Sequence, residues 1–265
     1  MTGPFHCAMT IPVGFALNPA KYALGLARAA QDAGARIFAD SAVRRIDQGN
    51  GFTLHTDAAQ ITATRLIVAT NGYSSDDLPD WMRARYLPAQ SNVLVTRTLS
   101  DEEIAEQGWT TNQMAYDERF FLHYFRLMPN RRFLFGMRGG LFSSAAADAG
   151  MHRTIRSHFE RMFPAWAHVD TPYSWNGLLS LSRDMTPYAG PIPEMPGAFT
   201  ALSYQGNGVA MASHAGAILA DLAQDRQPQA DWPGIMRKPP RRFPLGRFRR
   251  AWLWPPYAVA KTMGD

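Results

Sequence analysis

Residues 203 to 224, SYQGNGVAMASHAGAILADLAQ, join a glycine turn to a helix built almost wholly of small side chains. Gly206-Asn207-Gly208 at the start of such a helix leaves backbone N–H groups unpaired and a partial positive charge facing outward. That end suits an anion or an electron-rich carbonyl. The row Ala210, Ala212, Ser213, Ala215, Gly216 and Ala217 keeps bulk away from whatever approaches. The plain alternative is a turn followed by a helix packed closely on a sheet. Other chemistries find less support: the pairs Gly49/Gly51 and Gly206/Gly208 lack the third glycine of G-x-G-x-x-G, and there is no Walker sequence, no H-E-x-x-H and no C-x-x-C. The seven histidines, at 6, 55, 123, 152, 158, 168 and 214, show no second ligand one helical turn away, so no metal is expected.

The elements that must position this turn are readable in outline. Asn18 can cap a helix at about 19 to 33 with Pro19 at its first position, Ala23, Leu24, Ala27 and Ala30 on one face, and Gly34 closing it. Four runs follow, ARIFA, AVRRI, GFTLHT and TRLIVAT, which read as strands, with DQGNG as the hairpin turn between the second and third. The unbroken apolar run Leu66-Ile67-Val68-Ala69 predicts a strand covered on both faces. From Leu78 prolines, tryptophans and charges replace the small aliphatics, and SNVLVTRTL and RRFLFGMRGG predict a more antiparallel unit interrupted by a helix at about 151 to 163 that Pro164 stops.

At 265 residues, 46% of them hydrophobic, the chain can bury a sizeable core. No apolar stretch is long enough to span a bilayer, and the start has no secretory pattern, so a cytoplasmic location is expected. The lone Cys7 excludes an internal disulfide and reads as a small buried hydrophobe. Residues 237 to 250, RKPPRRFPLGRFRR, hold seven basic residues and no acid; taking seven from the net +5 leaves the body at −2, which argues against nucleic acid as a partner. The tail reads as a solvated segment laid on the body through Phe243, Leu245, Phe248, Trp252 and Trp254, with an anionic membrane surface or an acidic partner as the other readings.

The order of several motifs resembles the glycine and D-amino-acid oxidase family of FAD-dependent oxidoreductases. LNPAKYALGLARAAQDAGARIFADSAVRRI is similar to that family's segment leading to a strand that touches adenine, which implies a cofactor contact at Val43. TRLIVATNGYSS is similar to its turn beside ribose and pyrophosphate, which implies Ala69, Thr70, Asn71 and Gly72. YFRLMPNRRFLFGMRGG, WNGLLSLSRDMTPYAGPIP and YQGNGVAMASHAGAILADL resemble the substrate-domain strand pair, the W-x-G…D-x-x-P-x-x-G segment and the flavin-facing helix. The resemblance covers about Phe15 to Leu222, and within the family it points to the gamma-glutamylputrescine oxidoreductase branch.

It implies FAD as cofactor, with Gly206, Asn207, Gly208, Val209 and Ala210 against the pyrimidine edge of the flavin, and oxidation of a C–N bond of an amine or amino acid. Tyr124, Trp175 and Arg183 are the implied catalytic-site residues, with Tyr73 and Phe125 as further aromatic walls. Where relatives hold a substrate carboxylate with an arginine soon after W-x-G, this chain has Leu178, Leu179 and Ser180. Unless Arg183 or Arg126 enters the pocket, an acylated, polyamine-like amine is favoured. For Arg183-Asp184 a surface ion pair is the competing reading.

The expected fold is α/β (α+β): an FAD-binding part from 1–77 and 185–226, a mainly antiparallel substrate domain at 78–184, and a basic tail at 227–265. The family's glycine-rich nucleotide turn lies before the segment matched here, so the FAD-binding part is expected to be incomplete at its N-terminus. This implies a truncated product, a fragment, or a subunit that works with a separate N-terminal FAD-binding polypeptide; a non-catalytic assembly subunit is the alternative.

Overall fold

The computed structural model describes residues 1–119, 122–140 and 145–255. In chain order it contains α1 (Pro19–Asp32), β1 (Arg45–Gly49), β2 (Gly51–His55), β3 (Gln60–Ala63), β4 (Leu66–Val68), β5 (Leu87–Val95), α2 (Asp101–Gln107), β6 (Ala115–Tyr116), β7 (His123–Leu127) and β8 (Phe133–Arg138). Then come α3 (Ala145–Met162), β9 (Tyr173–Leu181), β10 (Tyr188–Pro191), β11 (Ala198–Leu202), α4 (Gly208–Leu222) and α5 (Gly234–Arg237), with a 3-10 helix at Gly246–Leu253. Two compact units result, one from Leu17–Pro88 and Leu179–Ala251, the other from Met1–Ala16, Ala89–Leu178 and Trp252–Asp265. These divisions differ from the 77/78, 184/185 and 226/227 boundaries of the sequence reading. Residues 227 to 251 group with the first unit because Trp232 Nε1 donates to the Ala189 carbonyl at 2.9 Å and Arg85 Nη1 to the Pro240 carbonyl at 2.9 Å.

In the first unit α1 forms where the capping signal predicts it, the Asn18 side chain accepting from Lys21 N at 3.0 Å. None of its residues is buried. The antiparallel meander β1-β2-β3 follows, β3 being a strand the sequence reading did not anticipate. The second sheet has the order β10-β11-β4, with β4 parallel to β11. Phe52, Leu66, Val68, Trp81, Tyr188 and Leu202 make one core; Phe199, Ala201, Ala215, Ile218 and Leu219 make another beneath α4.

Three expectations are corrected here. ARIFA is not a strand: its backbone finds no partner strand among the described residues, and Ile37 and Phe38 are exposed. β4 is covered on one face only, because Ile67 stands opposite Phe199 on the α4 side while α4 packs over β10 and β11, leaving Ile67 43% exposed. The tail is held by an arginine instead of by its aromatic side chains. Arg249 is buried, pairs with Asp76 at 2.7 Å, donates to the Tyr86 carbonyl at 2.5 Å and lies over the Tyr86 ring; Leu245 and Phe248 stay exposed.

The second unit is built on the sheet β6-β7-β8-β5-β9. Alternation sends Phe125 and Leu127 of β7, and Phe133, Phe135 and Met137 of β8, to one face, where Ile155, Phe159 and Met162 of α3 and the following Phe163 close over them. Phe5 packs on Phe125 and Phe163, which ties the N-terminal lead to this unit; Cys7 is exposed there, against expectation, since the lead offers no core around it. The helix expected at 151 to 163 begins earlier, at Ala145, and ends before Pro164 as read. α2, absent from the sequence reading, carries a full capping box between Ser100 and Glu103.

Two groups make this unit acid-sensitive. The Arg97 hydrogen bond, with Ser100 N–H and His168, lowers Glu103 to about 2, so its contribution is present above the ordinary glutamate range and is lost as pH falls through about 2. Burial, with His123 next in weight, lowers His158 to about 4; the unfolded chain then takes up the proton first, and stability falls as pH drops from 6.5 towards 4. Thermal melts against pH should show His158→Gln flattening the upper window and Glu103→Gln the lower one. Parallel pH profiles for both variants and the parent would contradict this assignment.

Candidate functional site

The glycine turn of the first unit is a strained, tightly bonded corner. Ser203, Gln205 and Gly206, just beyond β11, have φ of 61°, 55° and 101°. Ser203 N donates to Asn71 Oδ1 at 3.0 Å, Ser203 Oγ lies 2.9 Å from Ser180 Oγ, and Gln205 Nε2 donates to the Ser203 carbonyl at 2.8 Å and to Ser182 Oγ at 3.0 Å. Asn71 itself follows β4 with φ 42°. The first cofactor segment the sequence reading named, 69–72, is therefore bonded to Ser203, three residues before the second, 206–210.

α4 begins at Gly208 with no side-chain cap from Asn207, and Val209, Ala210, Ala212 and Ser213 are exposed. A Cβ built on Gly208 meets only Tyr204 Cδ2, at an ordinary 3.5 Å, and the backbone there is not left-handed. The fold of this chain therefore does not require glycine at 208. Of the remaining residues named for the cofactor, Ala69 and Thr70 are exposed, Thr70 Oγ1 lies 2.6 Å from Ser74 Oγ, and Gly72 is buried in the turn after Asn71. Val43 precedes β1 and is half-buried, in the meander and not in the sheet of β4.

Arg183 is exposed and donates to the Arg242 carbonyl at 3.3 Å. The ion-pair reading holds for Asp184: Arg241 Nε donates to it at 2.6 Å and holds that carboxyl below its usual range. Tyr73 is 69% exposed.

On the second unit's sheet, Tyr124 of β7 faces away from the phenylalanine core. It stands opposite Gly136 of β8, where a Cβ would come within 2.0 Å of the Tyr124 ring, and its hydroxyl lies 2.9 Å from Ser91 Oγ. Glycine lets the ring lie across the sheet. Burial raises the Tyr124 pKa, and burial lowers that of Arg138, which the same ring partly offsets. Arg126, two residues along the same face, has a buried Nε without a hydrogen-bond partner, and no carboxylate pairs with it among the described residues. Trp175 of β9 is 52% exposed. Phe125 is not a pocket wall: the strand's alternation puts it in the core, 5% exposed.

The sequence reading missed a buried relay. Asp117 Oδ2 accepts from His123 Nδ1 at 2.6 Å, and His123 Nε2 lies 2.9 Å from His158 Nδ1, with His123 stacked on Phe135. Neutral His158 donating into His123 satisfies both rings. Its members come from three separate stretches of chain with no motif spacing, so no local signal marked it.

Compared with known proteins, residues 2–222 match the DAO family, described as FAD dependent oxidoreductase. The chain belongs to this family. It is 30% identical over 241 residues to the probable oxidoreductase OrdL of Rhizobium meliloti (strain 1021), covering 90% of this chain and 54% of that protein. It is 28% identical to gamma-glutamylputrescine oxidoreductase of Escherichia coli (strain K12), covering 88% and 53%. The chain thus spans about half the length of the curated relatives it matches. Glycine oxidase from Geobacillus kaustophilus superposes with a TM-score of 0.65 at 19% identity, over 82% of this chain and 56% of that one, which shows the DAO fold. The DAO family is FAD-dependent, and the uncapped α4 end with its exposed small residues fits an electron-rich ring edge. The comparisons lend no support to a non-catalytic assembly subunit.

The contact between Tyr124 and Gly136 yields a direct test. Gly136→Ala should destabilise the second unit by about 1–3 kcal/mol in denaturant titration, and Tyr124→Ala in the same chain should remove most of that penalty. Simple addition of the two effects would show that the clash is relieved elsewhere.

Proposed function

We propose that this chain provides the flavin pyrimidine-edge contacts and the substrate face of an FAD-dependent oxidoreductase that oxidises a C–N bond of an amine or amino acid. The observation that carries the reading is Gly208, a glycine that nothing inside the chain requires, at the uncapped start of α4. FAD, when bound, accepts a hydride from the carbon beside the amine nitrogen, leaving an imine that water hydrolyses. The Gly208, Val209 and Ala210 amides would hold the ring edge that gathers negative charge on reduction, and the Asn71 bond to Ser203 holds the turn that precedes them. We propose the cytoplasm as the site of the reaction, where a chain with one cysteine needs no disulfide.

We further propose that a separate N-terminal FAD-binding polypeptide completes the nucleotide site. Leu24, Leu26, Ile37, Phe38 and Ile67 are exposed on the first unit, and β4 pairs on one side only among the described residues. An unpaired, apolar strand edge takes up a further strand. The test adds the product of a neighbouring reading frame bearing G-x-G-x-x-G, or the N-terminal half of a full-length relative, and follows flavin fluorescence. The chain alone should hold FAD weakly; tight stoichiometric FAD on the 265-residue chain alone would sink the completion proposal. In the completed protein Gly208→Val should abolish flavin retention while circular dichroism stays native; retention of FAD by that variant would remove the flavin from this turn.

For substrate we propose an acylated, polyamine-like amine, because Leu178, Leu179 and Ser180 follow Trp175-Asn176-Gly177 where an arginine would hold an α-carboxylate. The acylated amine should exceed an α-amino acid of the same length in kcat/KM by at least about tenfold, equivalent to ~1.4 kcal/mol. Equal turnover of the α-amino acid would move the protein towards amino-acid oxidation.

A further inference from the structure

We infer that the C-terminal basic segment is a peripheral docking surface for anionic lipid. Arg249 turns inward onto Asp76 and Tyr86, and Phe243 N donates to the Ala84 carbonyl at 2.6 Å, so the segment is pinned to the first unit from one side. In a 3-10 helix side chains three apart eclipse one another. With Arg249 inward, Phe248 and Ala251, three apart in the helix, stand on another side, and Leu245 immediately precedes the helix. Leu245 and Phe248 are 61% and 64% exposed. Large apolar side chains standing out on a pinned segment need a cover.

The charges around them identify its chemistry. Of the seven basic residues between 237 and 250, Arg241 pairs with Asp184, Arg249 with Asp76, and Arg237 bonds to the Trp232 carbonyl. Lys238, Arg242, Arg247 and Arg250 have no carboxylate partner among the described residues, and Arg247 lies over the Phe248 ring at 4.8 Å. A ridge of aromatic and aliphatic side chains flanked by unpaired guanidinium groups, with no acid in the segment, matches an anionic headgroup layer over an acyl boundary. Contact is peripheral, since no described helix is long and apolar enough to cross a membrane.

The test is flotation of the full chain with vesicles of phosphatidylcholine containing about one-third phosphatidylglycerol, against pure phosphatidylcholine. The anionic vesicles should carry at least about tenfold more protein, and ~0.5 M salt should release most of it. Arg247→Glu with Arg250→Glu should cut binding by about tenfold or more, the corresponding double lysine variant should retain it, and Phe248→Ser should weaken it with native circular dichroism. Equal binding to neutral vesicles, or no binding to either, overturns the inference. So does loss on charge reversal with no effect of Phe248→Ser, which would mark a general polyanion or acidic-protein surface.

Discussion

Parallel pairing of β4 with β11 is the constraint on which the first unit depends. The two strands lie about 130 residues apart in sequence, and Thr200 Oγ1 bonding to the Val68 carbonyl and Ser203 N bonding to Asn71 Oδ1 both bridge a separation of 132. A parallel pair cannot be closed by a hairpin; it requires a crossover, and here the chain builds Ala89–Leu178 of the phenylalanine-rich second unit before it returns. Closure of so long a loop carries an entropy cost that grows only slowly with its length, so short-range bonds at the strand ends suffice to hold the register. Those bonds fix the turn that ends in Gly208.

Local signals were strong enough to be read where the chain stabilises itself within a few residues. Asn18 and Pro19 set the start of α1, Gly49-Asn50-Gly51 sets the β1-β2 turn, and Pro164 follows the end of α3. The order of five degenerate motifs was enough for the DAO family and its fold. What escaped depended on partners distant in sequence. ARIFA has the composition of a strand, but a strand exists only when a neighbour shares its hydrogen bonds. Arg249 looked like one more solvated cation because Asp76, which buries it, lies 173 residues away. The Asp117–His123–His158 relay was hidden for the same reason, with 35 residues separating its two rings.

The site residues divide along similar lines. Tyr124 was named from its motif, yet its orientation follows from Gly136 opposite it, a pairing visible only once β7 and β8 are in register. Phe125, its neighbour, fails as a pocket wall because strand alternation sends adjacent side chains to opposite faces. Arg183 was named because it follows the W-x-G segment, and Arg241 from the tail has taken the carboxylate beside it. Arg126 shares a face with Tyr124 by the same period of two, and its buried Nε has no hydrogen-bond partner among the described residues.

Two glycines with opposite logic separate fold from function in this chain. At Gly136 the structure states its own reason, since a single methyl group would overlap the Tyr124 ring. At Gly208 it gives none: the backbone is one that any residue adopts, the nearest neighbour sits at contact distance, and the residues after it are exposed. A helix start without a cap, opened by a glycine that packing does not need, wastes helix propensity and leaves donors unpaired unless something outside the chain takes them up. The small side chains along α4 extend the same argument. Ala215 and Leu219 are buried against β10 and β11, which accounts for one face, whereas Ala210, Ala212, Ser213, Gly216 and Ala217 lie exposed on the others. Packing on the sheet explains the first set; in the second, Ser213 Oγ lies 2.7 Å from the Tyr22 hydroxyl and the other small residues stay exposed.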